Sequence, residues 1–294
     1  MSPRSNFPGV SPVLLSSSCD VLANNSAIPD MGLLTYPFRR AIVVEEIRWT
    51  FRMAFAHALN LGSIVSTKLS LGQKFLMRDP VPVWILGTMM DTGQEADLDS
   101  NIATLTVLSH YRWRLPEPLY VEEGQVLGSV FSRGIDGFGS INVQVSYVGR
   151  TVAPGQARPR VIPVPYAAPF VTTLTNTYQQ SNEKHLFNPF DVPIRVQRLT
   201  GRVLNFVSGT SLGAVISLTP STAGNGVTIL MNDSWGGKMV NNNTGLGDVF
   251  DALRTAWTVD TLMPPKGVYE VRAWNIATTQ TLHIGMVGVR EERL

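Results

Sequence analysis

Apolar and polar residues alternate along the chain from residue 43 to residue 55. On one side of this segment fall Ile47, Trp49, Phe51, Met53 and Phe55, and on the other fall Glu46, Arg48, Thr50, Arg52 and Ala54. Every second side chain of a strand points to the same face of its sheet. The pattern therefore predicts a long strand that buries one face and exposes the other.

Five further segments of the first half carry apolar patterns of strand length, over residues 64–71, 83–90, 104–115, 125–131 and 141–152. Turn-forming residues such as Arg78-Asp79-Pro80 separate them. Many short strands with regular turns are typical of a β-sandwich or a β-barrel. Residues 91–101 are acidic and polar, and they predict an exposed loop within this array.

Two segments without strand patterns divide the chain. Residues 1–34 are rich in Ser, Pro, Asn and Gly, which predicts an extended N-terminal arm. Residues 153–175 hold five prolines, a density that excludes a helix or a central strand and predicts an extended linker. The sequence thus predicts a first domain over residues 35–152 and a second over residues 176–294.

Landmarks of the first half recur in the second half. Pro37-Phe38 returns as Pro189-Phe190, a displacement of 152 residues, and the same displacement carries Val44 onto Val196. Near the ends of the halves the displacement has shrunk to 141, which carries Ile141 onto Leu282. The shared order of landmarks favours a duplication over a coincidence of general β patterning.

Residues 247–257 interrupt the β pattern of the second half. Val249, Phe250, Leu253 and Trp257 fall on one helical face, and Asp248 fits the N-cap position. A short helix is therefore predicted within the second domain. The expected fold class is all-β, with two tandem antiparallel sandwiches and this one helix.

Composition points to association rather than to nucleic-acid binding. Charged residues form only 16% of the chain, below the roughly 25% of ordinary soluble domains. Nineteen of the 24 basic residues are arginine, a preference that either protein interfaces or a codon bias would produce. A net charge of +2 without a dense basic run gives no reason to expect sequence-specific nucleic-acid binding.

The chain offers few groups for chemistry. Cys19 is its one cysteine, so an intramolecular disulfide and a multi-cysteine metal site are excluded. The four histidines lack the pairwise spacing of zinc or iron ligands. Gly209-Thr210-Ser211-Leu212-Gly213 matches a nucleophile elbow, but apolar strand patterns on both sides favour a hairpin turn. We expect no catalytic residue, no cofactor and no metal site.

Two polar groupings leave alternatives open. The acidic loop could hold a cation through Asp91, Glu95, Asp97 and Asp99, although its spacing favours a solvated loop. Tyr111, Trp113, Glu117 and Glu122 could contribute to a glycan-binding or catalytic cleft, although they fit strand and turn positions equally well.

The repeated sandwich, the proline-rich connection and the paired Pro-Phe and Pro/Gly landmarks resemble the double jelly-roll major capsid proteins. These form the shells of tailless icosahedral bacteriophages with an internal membrane, of the tectivirus, corticovirus and finnlakevirus kinds. The resemblance covers residues 35–294. It implies a structural capsid protein, made of two jelly rolls, that is not an enzyme.

The resemblance also implies partners and a location. Three copies would form a homotrimer with a pseudo-hexameric outline, and neighbouring trimers would tile an icosahedral virion shell assembled in the host cytoplasm. Penton or vertex proteins would be further partners, and the N-terminal arm would reach the internal membrane. Two alternatives remain, namely a two-sandwich carbohydrate-active enzyme or glycan-binding protein, and a minor vertex or spike protein of the same virus class.

Overall fold

In a computed structural model, the described part of the protein is almost entirely β-structure. The structure describes residues 10–22, 26–27, 40–54, 65–95, 106–133, 140–174, 179–180, 186–204, 212–219, 228–231, 255–275 and 280–293. All strand pairs among these residues are antiparallel. They form four sheets, which make two consecutive β-sandwiches.

The first sandwich contains ten described strands and one helix. In chain order these are β1 (Pro12–Val21), β2 (Ser26–Ala27), β3 (Ile42–Ala54), β4 (Val65–Leu71), β5 (Lys74–Phe75), β6 (Val81–Pro82), α1 (Val83–Leu86), β7 (Thr88–Glu95), β8 (Thr106–Val121), β9 (Leu127–Arg133) and β10 (Ile141–Thr151). Sheet 1 has the order β1-β10-β3-β8-β7, and sheet 2 has the order β2-β9-β4-β5 with β6 beside β4.

The second sandwich contains eight described strands. These are β11 (Val161–Leu174), β12 (Gln179–Gln180), β13 (Ile194–Leu204), β14 (Leu212–Thr219), β15 (Thr228–Met231), β16 (Thr255–Met263), β17 (Val268–Asn275) and β18 (Gln280–Arg293). Sheet 3 has the order β11-β18-β13-β16, and sheet 4 has the order β12-β17-β14-β15.

The two sandwiches share one topology. The path β1-β10-β3-β8 of sheet 1 corresponds to β11-β18-β13-β16 of sheet 3, and β2-β9-β4-β5 of sheet 2 corresponds to β12-β17-β14-β15 of sheet 4. In each sandwich the first, third, sixth and eighth of these strands form one sheet, and the other four form the second. This is the strand order of a jelly roll.

The domain boundaries differ from those expected. Residues 12–21 of the predicted arm form β1, the edge strand of sheet 1, so the first sandwich begins before residue 35. Most of the predicted linker, residues 161–174, forms β11 of sheet 3. The connection between the sandwiches is therefore residues 152–160, and the second sandwich begins at Val161 rather than at residue 176.

The prolines of β11 explain why a strand was not expected there. Pro163, Pro165 and Pro169 all occupy odd-numbered positions, so their nitrogen atoms point to the same side of the strand. β18 lies on the other side and β11 has no second neighbour in sheet 3 among the described strands. Missing N–H groups on a free edge remove no ladder hydrogen bond, and they hinder the addition of a further strand.

Three local expectations also change. Residues 83–86 form the helix α1 instead of a strand. Asp91 and Glu95 of the predicted acidic loop lie in β7, and residues 96–101 lie outside the described part of the chain. Of the helix predicted over residues 247–257, the last three residues belong to β16 and the others lie outside the described residues.

The alternating patterns of the first sandwich bury one face of its strands. In β4 every second residue from Val65 to Leu71 is buried. In the first core Trp49 stacks on Trp113, with ring centroids 6.3 Å apart. The Tyr147 hydroxyl of sheet 1 lies 2.5 Å from the Ser129 hydroxyl of sheet 2, which satisfies both groups inside the sandwich.

A matching β-bulge marks the two repeats. The register of β3 shifts between Val44 and Glu46, and the register of β13 shifts between Val196 and Arg198. These positions differ by 152 residues, the displacement already seen in the sequence. A bulge inserts one residue and re-aims the strand, so its presence at corresponding positions supports the duplication.

Candidate functional site

The two sandwiches of the chain meet at a closely packed junction. All four residues of α1, in the first sandwich, are buried, and α1 packs against β18 of sheet 3. A Cβ atom on Gly285 would lie far under 3.0 Å from the side chain of Ile85. Glycine at this position of β18 therefore lets α1 approach the sheet surface.

Arg198 stabilises the same junction by hydrogen bonds. Its Nη2 atom donates to the carbonyl oxygen of Ile85 at 2.9 Å, and also to that of Leu86. The last carbonyl groups of a helix lack partners within the helix. A guanidinium from the second sandwich supplies donors for these two groups and holds the sandwiches together.

Apolar burial continues across the junction. Val287 and Ala167 on sheet 3 belong to one contiguous buried cluster with Trp84 and Ile85 of the first sandwich. Val287 is 2% exposed and Ala167 is 1% exposed. The outer face of sheet 3, meaning the face turned away from sheet 4, is thus partly covered by the first sandwich.

The corresponding outer face of sheet 1 carries a charged cluster instead. Glu46 is buried, and its carboxylate accepts hydrogen bonds from Arg48 on β3 and Arg112 on β8. Arg114 on β8 lies 3.7 Å from the same carboxylate. Burial favours a higher pKa for Glu46, but the hydrogen bonds and charges of Arg48 and Arg112 outweigh it and hold the pKa below its ordinary value.

A hollow of about 530 Å³ opens beside this cluster. Its polar lining includes Thr50 and His110, whose Oγ1 and Nδ1 atoms are 3.0 Å apart, and Ser146, whose hydroxyl lies 2.9 Å from that of Ser16. Leu14, at the rim, is 67% exposed. The hollow contains short polar groups and one large exposed apolar side chain, which suits a contact with another protein surface.

A second concavity, of about 820 Å³, lies at one end of sheet 3. Leu262 and Val161 are exposed there, and Lys74 reaches it from the first sandwich. Arg195 and Asp260 form a two-pronged ion pair on its rim, with distances of 2.7 and 3.0 Å. Because both side chains are mostly exposed, the pair contributes little to the stability of the fold.

Asn188 fixes the loop that leads into β13. It is completely buried, and its Nδ2 atom donates to the carbonyl oxygens of Val192 and Pro264, both at 2.9 Å. Its Oδ1 atom accepts from the backbone N–H of Phe190 at 3.0 Å. Phe190 in turn lies under the guanidinium of Arg290, 3.9 Å from the ring centroid. Of the landmark Pro189-Phe190, this phenylalanine therefore has a structural role, while Pro37-Phe38 lies outside the described residues.

The residues considered for a glycan cleft are not brought together as one. Tyr111 and Trp113 are 1% and 2% exposed and pack in the first core, where Tyr111 meets Phe51 edge-on at 5.8 Å. Glu117 is half-buried in β8, and Glu122 pairs with Arg158 in the connection between the sandwiches. The two aromatic residues therefore serve packing, and Glu122 serves the connection.

The remaining candidates are placed as follows. Cys19 is half-buried in β1, and burial together with the charge of Asp20 raises the pKa of its thiol to about 11. Gly213 of the nucleophile-elbow match lies in β14, while residues 209–211 lie outside the described part of the chain. Among the described residues no group of three metal-ligating side chains is found, and no helix is long and apolar enough to cross a bilayer.

Sequence comparison gives no relative for this chain. No family model matches it, and no curated protein matches it.

Comparison of structures does find similar folds. The major capsid protein of STIV superimposes with a TM-score of 0.51 at 10% identity, over 95% of this chain and 96% of that chain. A chain from the atomic structure of the Sulfolobus turreted icosahedral virus gives 0.51 at 13% identity, over 96% and 90%. A chain from the PBCV-1 virus capsid gives 0.50 at 10% identity, over 99% and 96%. The protein has the double jelly-roll fold.

The double jelly roll found by superposition agrees with the strand order read directly from the sheets. The alignments cover nearly the whole chain, so both sandwiches belong to the shared architecture. Identities near 10% carry no residue-level correspondence. The similarity therefore extends to the fold and not to the individual residues of the junction.

Proposed function

We propose that this double jelly-roll chain is a structural capsid protein that assembles with copies of itself into a virion shell. The observation that carries the proposal is the close packing of two equivalent sandwiches through α1, Gly285 and Arg198. A chain built in this way presents two similar lobes side by side. Its structural neighbours are viral capsid proteins, which supports the same role.

The proposed building block is a trimer. Two similar lobes in each of three chains give six lobes, and a six-lobed ring has the pseudo-hexameric outline that tiles a closed shell. Contacts between different surfaces of identical chains form rings when the rotation between copies closes. Exposed leucine and arginine side chains on the outer surfaces of the sandwiches are of the kinds found in protein interfaces.

The protein would then lie in the capsid of a tailless icosahedral phage, above an internal lipid membrane, after assembly in the host cytoplasm. The part of the chain before β1 would face the membrane, and penton or vertex proteins would adjoin the trimers at the fivefold positions. Electron cryomicroscopy of native particles would test these placements directly.

Mass measurement in solution tests the central claim. Sedimentation of the purified full-length chain should show a species of roughly 97 kDa, three times the chain mass of 32.2 kDa, or larger closed particles. A stable monomer at all accessible concentrations would overturn the proposal. Glycan binding by such a monomer would instead favour the carbohydrate-active alternative, and a low copy number in purified particles would favour a vertex protein.

A further inference from the structure

The outer faces of sheets 1 and 3 can be compared residue by residue. The bulges align Val44 with Val196, and the residues paired with them on β10 and β18 are both glycine, Gly149 and Gly288. A side chain on either glycine would collide with the backbone of the bulged strand. These two positions therefore fix the correspondence between the sandwiches independently of overall similarity.

Counting along the strands from these two glycines, four outward-facing positions of sheet 1 have equivalent positions in sheet 3. Arg48 pairs with Ser146, and the corresponding pair in sheet 3 is Thr200 with Gly285. Leu14 pairs with Val148, and the corresponding pair is Ala167 with Val287. The matched positions are thus Leu14 and Ala167, Arg48 and Thr200, Ser146 and Gly285, and Val148 and Val287.

Burial differs sharply between the matched positions. On sheet 3, Thr200 is fully buried, while Ala167 and Val287 are 1% and 2% exposed, because the first sandwich lies over them. On sheet 1, Leu14 is 67% exposed and the Arg48 side chain is 51% exposed. The face that is covered within the chain in the second sandwich is uncovered in the first.

We propose that a second copy of this chain covers the outer face of sheet 1 with its second sandwich, as the first sandwich covers sheet 3 within one chain. The inference rests on the proposed self-assembly and names the surface that it uses. Exposure of Leu14 at the position matched by a buried alanine supports it. Repetition of the same side-by-side step, alternately within and between chains, would link six lobes into a ring of three chains.

The side chains of this face suit a protein partner. Arg198 in sheet 3 donates to main-chain carbonyl groups of the neighbouring lobe. The matched position in sheet 1 is Glu46, which instead holds Arg48 and Arg114 at the surface, and Arg114 is 75% exposed. Guanidinium groups held in this way are placed to donate to carbonyl or carboxylate oxygens of the next copy.

Substitution of Leu14 by aspartate tests the proposal. Leu14 is mostly exposed within one chain, so Leu14→Asp should leave the folded chain intact while it places an unpaired charge in the proposed contact. The trimer dissociation constant should rise on the order of a hundredfold or more, and a folded monomer should appear in sedimentation and circular dichroism. Leu14→Met should keep the trimer.

Phe75→Asp is the matched control. Phe75 is 50% exposed and also lies in a strand, but it belongs to sheet 2 of the first sandwich, whereas the proposed contact joins sheet 1 to the second sandwich of the next copy. This variant should remain trimeric. If Leu14→Asp proves unstable, Ser146→Arg provides a second test, because it fills the hollow at the position matched by Gly285.

The outcomes separate the inference from the proposed function. A wild-type monomer would refute self-assembly itself. A wild-type trimer that survives both Leu14→Asp and Ser146→Arg would refute the proposed surface alone. Loss of the trimer in Phe75→Asp as well would show that any added charge disrupts it, and the surface assignment would then fail.

Discussion

Gly149 on β10 lies opposite Val44 at the bulge of β3. A Cβ atom on Gly149 would come far under 3.0 Å from the carbonyl oxygen of Val43, which is main chain and cannot move aside. Glycine here permits the close approach of two strands rather than an unusual backbone angle. The same relationship joins Gly288 to Val196 in the second sandwich.

Gly149→Ala should therefore destabilise the protein by about 3 kcal/mol, a cost typical of a collision in a packed site. Urea denaturation followed by fluorescence would measure it. Ser18→Ala, at an exposed position of β1, serves as the control and should change the free energy of unfolding by less than about 0.5 kcal/mol. Equal stability of Gly149→Ala and wild type would show that the bulge can relax.

Glu46 should make stability depend on pH. The pKa of its carboxyl group is lowered in the folded chain, so its ionised form contributes stability above the ordinary glutamate range, and the contribution is lost as pH falls through the lowered folded-state pKa. At neutral pH, Glu46→Gln should cost about 1–2 kcal/mol, a range reduced by the exposure of Arg48 and Arg114. The difference from wild type should shrink in acid.

Thermal denaturation from neutral to acidic pH would measure this difference. Glu45→Gln is the control, because Glu45 is exposed and its pair with Arg150, at 2.8 Å, is also exposed. It should alter stability by less than about 0.5 kcal/mol. A Glu46→Gln deficit that stays constant into acid would argue against an ionised glutamate at this position.

Gly285 and Ile85 should be energetically coupled across the junction. Gly285→Ala should cost about 2 kcal/mol because its new methyl group meets the Ile85 side chain. Ile85→Ala removes the two γ carbons that the new methyl group would meet, so the double variant should be more stable than the sum of the single changes predicts, by about 1 kcal/mol. A double-mutant cycle by chemical denaturation would measure the coupling, and simple additivity would contradict the contact.

Asn188→Asp should destabilise the protein by about 2–4 kcal/mol at neutral pH, because the substitution keeps the shape of the side chain but replaces its donor group by an acceptor. That acceptor would face the carbonyl oxygens of Val192 and Pro264. Burial and these oxygens should raise the pKa of the new carboxyl group, so the deficit should be smallest in acid and grow as pH rises from the unfolded-state pKa toward the raised folded-state pKa.

Asn188→Ala separates the two effects in this prediction. It removes the same hydrogen bonds without adding a titrating group, so its deficit relative to wild type should not change with pH. Stability curves for both variants over the same pH range would distinguish charge repulsion from simple loss of the hydrogen bonds. Parallel curves would contradict the expected titration of the carboxyl group that Asn188→Asp introduces.

The local sequence pattern was sufficient to predict those strands that bury one face. The alternation around Trp49 and Phe51 predicted β3, and residues 64–71 predicted β4, because a two-residue period specifies a strand and its apolar side without reference to neighbours. The 152-residue displacement predicted the repeat, and the structure extends the correspondence to the bulges at Glu46 and Arg198. All-β class and tandem sandwiches were therefore available from sequence.

Tertiary structure decided what the pattern left open. The prolines of residues 161–174 predicted a linker. A strand, β11, forms there because it lies at the edge of sheet 3 and pairs with β18 on one side only. Which strand lies at the edge of a sheet depends on contacts between distant parts of the chain. Glu46 and Arg198 occupy equivalent positions, but Glu46 forms ion pairs with arginines of sheet 1, whereas Arg198 donates hydrogen bonds to α1. Sequence determines which face of a strand is apolar; only the assembled sheets determine which neighbour covers the other face, since that depends on contacts distant in the chain.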